Sequence, residues 1–546
     1  MSSSSKKKMR KEQEAVKMTE KQLEAQKEAK KVSLYTALFI AAMVLILVVA
    51  IVVGVNQVVT NKGIRERKTE AMTINDHSIS NAELNYFYMD AVNQFYSTYG
   101  SYASLVGLDL TTPLDEQVVD EETGTTWAEN FLTTAKENAK AVYALADAAE
   151  AEGFTLSDED KTSLNSNLST IQLYAQVYGY SDTDTYLKAM YGHGANEDSF
   201  RTYNELRTLA SAYQTHHSES LTYTDADLRA VDSQDYDAYS AYTYNTYYLS
   251  VSRFLEGGTT DENGATTYTD EERSAAVKAA EEAAKSLTSG EITSLQDLDD
   301  AIAALPVNAD TTASSSAHNA TLATAVSSSY ADWVKDHARK EGDLTYVAST
   351  STTTDDAGNE TTNTDGFYVV YFINSNDNTF ALKNVRHILV SFEGGTTDEN
   401  GNTTYSDEEK AAAKDKAEEL LKQWQAGDAT EDSFAALATE NSTDTGSVEN
   451  GGLYEDIYPG QMVTAFNDWC FDDSRKPGDT GIVETNYGYH VMYFVGDADQ
   501  NYRDYLIENE LRSADMDEWY QNLIDNTMTT DGSTRYIRTD LVLSRG

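Results

Sequence analysis

An uninterrupted run of 24 residues without a charged side chain, residues 32–55, divides this chain of 546 residues into two very unequal parts. At about 1.5 Å of rise per residue, a helix of that length crosses a hydrocarbon layer about 30 Å thick. The run follows a charged lead, residues 1–31, and shows no Ala-x-Ala cleavage pattern. We therefore expect a retained transmembrane helix rather than a removed signal peptide.

Charge differs sharply on the two sides of that run. Residues 1–61 carry 10 Lys and Arg against 5 Asp and Glu, whereas residues 62–546 carry 31 against 85, a net charge of −54. The basic lead predicts a single-pass protein of the cell membrane with a cytoplasmic N-terminus and the bulk of the chain extracytoplasmic. The acidic remainder argues against a nucleic-acid partner, whose phosphates it would repel.

Length and cysteine content limit the architecture further. A chain of 546 residues is too long for one hydrophobic core, so several domains are expected. The single cysteine, Cys470, excludes an intramolecular disulfide and a cysteine-based metal site. Its neighbourhood favours a small buried residue on a helix.

Residues 62–235 have the pattern of a helical, tyrosine-rich region. Ser80 and Glu83 predict a capping box that begins a helix after a short strand and turn. Apolar residues recur at helical spacing from Trp127 to Tyr143, and Gly153 is placed to end that helix.

An internal repeat organises the rest of the chain. Residues 256–272 match residues 393–409 at 15 of 17 positions, and two further pairs of segments match in the same order. One domain therefore occurs twice in tandem, at residues 236–376 and 383–497. The first copy has about 14 additional residues near residues 350–363, and their Ser, Thr and Asp content predicts an exposed loop.

Each copy contains an Asp-Glu-Asn-Gly segment between threonines. Asn-Gly in this setting predicts a tight β-hairpin. The hairpin is therefore favoured over a calcium loop, and calcium binding stays open.

The second copy carries an ordered set of motifs around two histidines. It opens with Val-Arg-His-Ile-Leu-Val at residues 385–390 and closes with Tyr-Gly-Tyr-His-Val at residues 487–491. Between them lie Asn-Gly-Gly-Leu at residues 450–453 and Gly-Gln-Met-Val at residues 460–463, followed by Phe466. Together these five motifs resemble the parvulin family of peptidyl-prolyl isomerases.

The resemblance implies a site that rotates X–Pro bonds without a cofactor or a metal. The expected catalytic residues, two facing histidines with a carboxylate and a hydroxyl, are His387, Asp444, His490 and Thr485. The expected substrate-binding residues, which would form a cup for the proline ring, are Leu453, Met462 and Phe466. Tyr454 stands where the family commonly has a second small residue, so it is expected to narrow the mouth of the site.

The first copy departs from this pattern. Aligned on the repeat, Ser250 stands at the position of His387 and Tyr368 at that of His490, while Tyr330 replaces the phenylalanine of the cup. We therefore expect this copy to keep the fold and to lack the isomerase site.

The arrangement of these regions resembles membrane-attached PrsA-type foldases and SurA-type chaperones. In those families a helical chaperone region made from both chain ends carries one or two parvulin domains. The resemblance implies an α+β chain with one N-terminal transmembrane helix and two tandem parvulin-like domains, each a small antiparallel sheet with helices. Residues 498–546 would form a helical tail that packs on residues 62–235.

Three classes of function remain open at this point. The first is a membrane-anchored, extracytoplasmic peptidyl-prolyl isomerase and foldase, whose partners would be unfolded or partly folded exported polypeptides with X–Pro bonds. The second is a non-enzymatic holdase chaperone that uses its parvulin domains as peptide-binding platforms. The third is an acidic surface scaffold.

Overall fold

The chain forms two compact units in the computed structural model. One unit combines Met1–Leu221 with Asp515–Gly546, and the other is Thr222–Ala514. The described residues are 4–8, 20–260, 264, 266–309, 311–354, 358–398 and 401–543. Part of the basic lead and the tips of both Asp-Glu-Asn-Gly hairpins lie outside the described residues.

The first helix, α1 (Glu20–Asn61), is long and apolar. Its segment Ser33–Asn61 contains an 18-residue window with a mean hydropathy of 3.3, and within the described residues it alone has the length and composition of a membrane span. Apolar side chains along it, among them Leu45 and Ile46, are more than half exposed. Such a surface is unfavourable in water and suits a hydrocarbon environment. A short helix, α2 (Ile64–Lys68), follows.

Helices form most of the first unit. In chain order they are α3 (Asn81–Tyr99), α4 (Trp127–Glu152), α5 (Asp158–Val177), α6 (Thr183–Tyr191) and α7 (Glu197–Ser220). Local signals set the ends of these helices. At the start of α3, for example, the Ser80 side chain accepts a hydrogen bond from the Glu83 amide. Gly153 ends α4 with φ 72°, a conformation that glycine adopts without strain.

Both ends of the chain contribute to the core of the first unit. The strands β1 (Glu70–Ile74) and β2 (His77–Ser80) form an antiparallel sheet with the C-terminal strand Thr529–Asp531. Ile537 belongs to the same buried cluster as Tyr86 and Tyr88. The indole of Trp519 stacks on His217 at 3.9 Å between ring centroids. The strands β3 (Val118–Asp120) and β4 (Thr125–Thr126) form a small hairpin in this unit.

The second unit contains two four-stranded antiparallel sheets with equivalent strand orders, β8-β5-β10-β9 and β14-β11-β16-β15. The strands of the first sheet are β5 (Ala241–Ser250), β8 (Ser316–Leu322), β9 (Leu344–Thr354) and β10 (Glu360–Asn376). Those of the second are β11 (Ala381–Ser391), β14 (Leu453–Ile457), β15 (Thr480–Thr485) and β16 (Gly488–Asn501). The two hairpins are β6 (Thr259–Thr260) with β7 (Thr266–Thr267), and β12 (Thr396–Thr397) with β13 (Thr403–Thr404).

Helices follow these strands in the same order in both copies. After α8 (Asp225–Asp232), the first copy has α9 (Asp270–Leu287), α10 (Leu295–Ala303) and α11 (Ala331–Val334). The second copy has α12 (Asp407–Ala426), α13 (Glu431–Asn441) and α14 (Thr464–Cys470), and α15 (Tyr502–Asn526) comes after it. The sequence repeat therefore corresponds to two domains of one layout.

The described residues of the first copy's insert, 350–354 and 358–363, are exposed, but most of them form strands and not the expected loop. It extends β9 and β10, which pair antiparallel from Leu344 opposite Tyr371 out to Thr354 opposite Glu360. β9 has 11 residues where β15 has 6. Threonine is β-branched and fits a pleated surface, so a threonine-rich segment can lengthen a hairpin as readily as it can form a loop.

The strand registers also correct the alignment of the two copies. His387 pairs with Met492, and the residue equivalent to Met492 in the shared Gly-x-x-Val-x-Tyr-Phe segment is Val370. Val370 pairs with Thr246, so Thr246 and not Ser250 occupies the position of His387. The repeat gave the wrong residue because a 3₁₀ turn of 4 residues follows β5 in the first copy.

Candidate active site

Two adjacent central strands bring His387 and His490 together. β11 and β16 pair antiparallel with Leu389 opposite His490, so the two histidines lie on one face of the sheet. Their Nδ1 atoms are 3.0 Å apart, and their rings stack with centroids 5.2 Å apart. Both residues are buried, at 2% and 5% exposure.

A carboxylate and two hydroxyls extend this pair beyond His387. The Asp444 Oδ2 atom lies 2.9 Å from His387 Nε2 and accepts hydrogen bonds from Ser447 Oγ at 2.5 Å and Tyr454 OH at 2.9 Å. Hydrogen bonding, from His387 above all, holds the pKa of Asp444 well below its usual range. Asp444 is therefore an anion beside the buried imidazoles.

The opposite end of the pair is uncharged. Thr485 Oγ1 lies 2.9 Å from His490 Nε2. Burial, with a further contribution from His387, lowers the pKa of His490 to about 4. A line of hydrogen bonds thus runs from Thr485 through both imidazoles to Asp444, and the four predicted catalytic residues lie in one network.

The glycine pair brings the segment that carries Asp444 against β11. The His387 amide donates to the Gly452 carbonyl at 2.8 Å, and the Gly452 amide donates to the Ser447 carbonyl at 2.8 Å. Gly452 has φ +71°, and a Cβ at this position would lie 2.1 Å from the His387 carbonyl oxygen. Because any side chain would collide with that oxygen, the close approach requires glycine.

Phe466 forms an apolar surface against both imidazoles. Its ring meets His387 and His490 edge-on, with centroids 5.4 Å apart in each case, and is 2% exposed. Met462 is half-buried against the same cluster. Leu453 is half-buried on β14, where it pairs with Arg386, the neighbour of His387 in β11. Because side chains alternate along a strand, Leu453 lies on the face of the sheet opposite His387, whereas Tyr454 lies on the His387 face.

Sequence reasoning missed two members of the network, Ser447 and Tyr454. Ser447 closes a turn with Asp444, and the Asp-x-x-Ser spacing was the available signal. Tyr454 was expected only to narrow the mouth, but its hydroxyl donates to the Asp444 carboxylate. Burial, together with that carboxylate, raises the pKa of Tyr454 to about 12.

The corresponding place in the first copy has different chemistry. Thr246 and Tyr368 stand at the histidine positions, and the Tyr330 ring packs edge-on to Tyr368 at 5.3 Å. His318, on the neighbouring strand β8, places Nε2 2.9 Å from Thr246 Oγ1. The facing imidazole pair of the second copy is therefore replaced by a threonine and a tyrosine.

Two further kinds of side-chain arrangement are relevant outside this network, a cluster of metal ligands and a thiol. Among the residues that the structure describes, no group of three or more His, Cys, Asp or Glu side chains is placed to hold a metal ion. Cys470 is fully buried, and burial raises the pKa of its thiol to about 12. The thiol is therefore protonated and shielded from solvent.

The family described as PPIC-type PPIASE domain matches residues 368–497. The foldase protein PrsA 1 of Listeria innocua is 42% identical over 62 residues, which cover 11% of this chain and 21% of the relative. The chaperone SurA of Chromohalobacter salexigens is 32% identical over 137 residues, which cover 23% of this chain and 27% of the relative. The chain thus spans only about a fifth to a quarter of these curated relatives.

The crystal structure of PrsA from Bacillus subtilis aligns with 73% of this chain and 86% of its own, at 14% identity and a TM-score of 0.27. The family match, however, contains both histidines, the glycine pair and Phe466 in the geometry described above. The chain therefore contains a PPIC-type peptidyl-prolyl isomerase domain of the parvulin family, and its homologues are PrsA foldases and SurA chaperones.

Proposed function

We propose that this chain is a membrane-anchored, extracytoplasmic peptidyl-prolyl cis-trans isomerase that assists the folding of exported proteins. One observation carries the proposal: the buried His387–His490 pair, tied to the Asp444 anion and packed on Phe466. The relatives named foldase and chaperone agree with this activity.

The chemistry needs no covalent step. Rotation about an X–Pro bond is opposed by amide resonance, with a barrier of about 18–20 kcal/mol. At the transition state the amide is twisted and its resonance is lost. A site accelerates the rotation if it holds the proline ring and offers polar contacts that favour the twisted amide over the planar one.

The second copy offers both kinds of contact. Phe466 and Met462 would hold the proline ring by apolar contact, whereas Leu453 lies on the other face of the sheet. Asp444, one-fifth exposed in its side chain, would place a negative charge near the twisting amide, and the histidines would fix its position. In this assignment His387, His490 and Thr485 keep the network rigid rather than transfer a proton.

The other regions are assigned by resemblance and by layout. Residues 62–235 and 498–546 would form the chaperone region, and residues 236–376 a parvulin-like domain without an isomerase site. Residues 32–55 would anchor the chain with residues 1–31 in the cytoplasm. The substrates would be unfolded or partly folded exported polypeptides with X–Pro bonds.

The test is an isomerisation assay on a proline peptide with the fragment 380–500. We expect isomerisation well above the uncatalysed rate, since without a catalyst the rotation takes tens of seconds. Asp444→Asn keeps the shape and removes the charge, so a loss of rate in this variant would show that the anion acts on the amide. A folded fragment without activity would contradict the proposal and favour the holdase, whose signature is suppression of aggregation by residues 62–546.

A further inference from the structure

The outer strand of the first four-stranded sheet, β9, has a free edge. It is the last strand in the order β8-β5-β10-β9, so one side of it pairs with β10 and the other faces away from the sheet. Its 11 residues, Leu-Thr-Tyr-Val-Ala-Ser-Thr-Ser-Thr-Thr-Thr, include neither a charge nor a proline. From Thr350 to Thr354 the side chains are exposed.

The hydrogen bonds at the start of β9 show which residues face away. The Phe372 amide donates to the Asp343 carbonyl, and the Phe372 carbonyl accepts from the Gly342 amide. Counting back from Phe372, every second residue of β10 therefore directs its backbone N–H and C=O groups toward β9. Their partners on β9 are the odd-numbered residues Thr345, Val347 and Ser349. Even-numbered residues of β9 consequently direct their N–H and C=O groups outward.

This alternation continues to the end of β9. The one register shift in the pair lies in β10, between Thr364 and Gly366, and leaves β9 regular. Outward-facing amides thus recur along the strand at about 7 Å intervals. Such a row of unpaired donors and acceptors is a template for another strand.

The other edge strands of the two four-stranded sheets, as far as the structure describes them, are interrupted or charged. β8 has a register shift, and its residue Ala320 has a positive φ of 45°. In β14, Asp456 has a positive φ of 54°. β15 is 6 residues long and contains Glu484. These features protect an edge against pairing, and β9 has none of them.

We propose that β9 binds an extended, uncharged or basic segment of unfolded polypeptide as an added strand. The choice of this ligand rests on the proposed function, in which such segments are the substrates. A second copy of this chain is disfavoured, because 90 acidic residues against 41 basic ones give like charges on both partners. Main-chain hydrogen bonds read no particular sequence, so β9 would hold segments with or without proline.

The test uses the full chain in detergent micelles and a fluorescent ten-residue peptide of alternating Thr, Val and Lys without proline. Thr352→Pro removes an outward amide and leaves the β10 ladder intact, so we expect peptide affinity to fall by about 10-fold or more. Ala317→Pro, on β8 at the opposite edge, likewise removes an amide that does not face the neighbouring strand, since Ser316 and His318 are the residues that face β5. It is the matched control and should bind like the wild type. Hydrogen exchange should slow at Thr350, Thr352 and Thr354 when peptide is added.

Unchanged affinity in Thr352→Pro, or unchanged exchange at the even-numbered amides, would overturn the proposal. A dimer in sedimentation that Thr352→Pro abolishes would overturn it in favour of a second copy as occupant. Thr352→Lys, which places a charge on the edge, replaces the proline variant if circular dichroism shows that the latter is unfolded. Isomerase activity should survive in both variants, and its absence from the wild type would contradict the proposed function without affecting β9.

Discussion

His490 and Asp444 belong to one line of hydrogen bonds, and the two groups respond differently to burial. Burial opposes the charged form of both. At Asp444 three donors outweigh that penalty and keep the carboxylate ionised, whereas at His490 nothing comparable offsets it. The site therefore combines a fixed anion with a neutral imidazole, and this balance depends on single side chains.

The pKa of His490 predicts a pH dependence of stability. Folding lowers this pKa from 6.5 to about 4, so between these values the unfolded chain binds the proton and the folded chain does not. Stability must then fall as pH decreases from about 6.5 to 4, by up to about 3 kcal/mol from this group. Urea unfolding from pH 7 to 4 should show a shallower decline in His490→Gln than in the wild type. Identical slopes would contradict the assignment.

Phe466→Ala tests the apolar cup. Losing a large buried contact is worth roughly 1.5–3 kcal/mol, so kcat/KM on an X–Pro peptide should fall by about 10-fold or more. Tyr330→Ala, at the equivalent position of the first copy, should leave the activity unchanged. A folded Phe466→Ala variant with full activity would remove the basis for assigning Met462 as well.

At the scale of secondary structure, the site depends on how closely the segment after α13 approaches β11. One backbone hydrogen bond, from the His387 amide to the Gly452 carbonyl, joins this segment to β11 beside the imidazole, and the Thr443 amide donates to the Leu389 carbonyl of the same strand. The Gly452 amide donates to the Ser447 carbonyl within the segment. The position of the Asp444 carboxylate thus depends in part on backbone geometry at one glycine.

Gly452→Ala should disrupt that approach. The new Cβ would meet the His387 carbonyl at 2.1 Å, whereas Gly460, also at positive φ, has no neighbour within 4 Å of its Cβ position. Gly460→Ala should cost about 1–2 kcal/mol from backbone strain alone. Gly452→Ala should cost clearly more and should lower activity. Equal losses in urea unfolding would show that the contact is not the constraint.

The first copy should contribute no isomerase activity. Its strands place Thr246 and Tyr368 where the second copy has histidines, and it has no Gly-Gly-Leu segment. The isolated fragment 236–376, if folded, should therefore give no rate above background on an X–Pro peptide. A rate comparable to that of the fragment 380–500 would refute this assignment.

At the scale of the whole molecule, the apolar segment of α1 separates a basic lead from a strongly acidic remainder. Everything that carries the proposed chemistry lies on the acidic side. The charge difference predicts the orientation by the positive-inside bias. Residues 62–546 would then be available to exported polypeptides.

Protease added to intact cells checks this orientation. We expect digestion of the residues beyond about position 61 and protection of the N-terminal lead. An antibody to an N-terminal tag follows the protected fragment, with lysed cells as the control. A mature protein in the medium that begins after residue 50 would show that the segment is removed and not retained.

The sequence by itself determined those features that depend on local order. The apolar run, the capping boxes and the parvulin motifs depend on near neighbours or on a fixed linear order. The repeat, likewise, predicted two domains of one layout and the loss of the imidazole pair in the first. Local physical rules act on such patterns wherever they occur, and therefore the pattern alone was sufficient.

Only the tertiary structure decided what depends on strand register and on contact between distant segments. It assigned Thr246, and not Ser250, to the position equivalent to His387, because an added turn shifts a sequence alignment but not a hydrogen-bonded register. It showed that residues expected to form a loop instead extend β9, whose outer edge is free. It brought Tyr454 to Asp444, since a side chain on one strand reaches a loop only after the sheet has formed. The sequence contains no signal for these contacts, because the partners are far apart along the chain and meet only when strands and helices pack together.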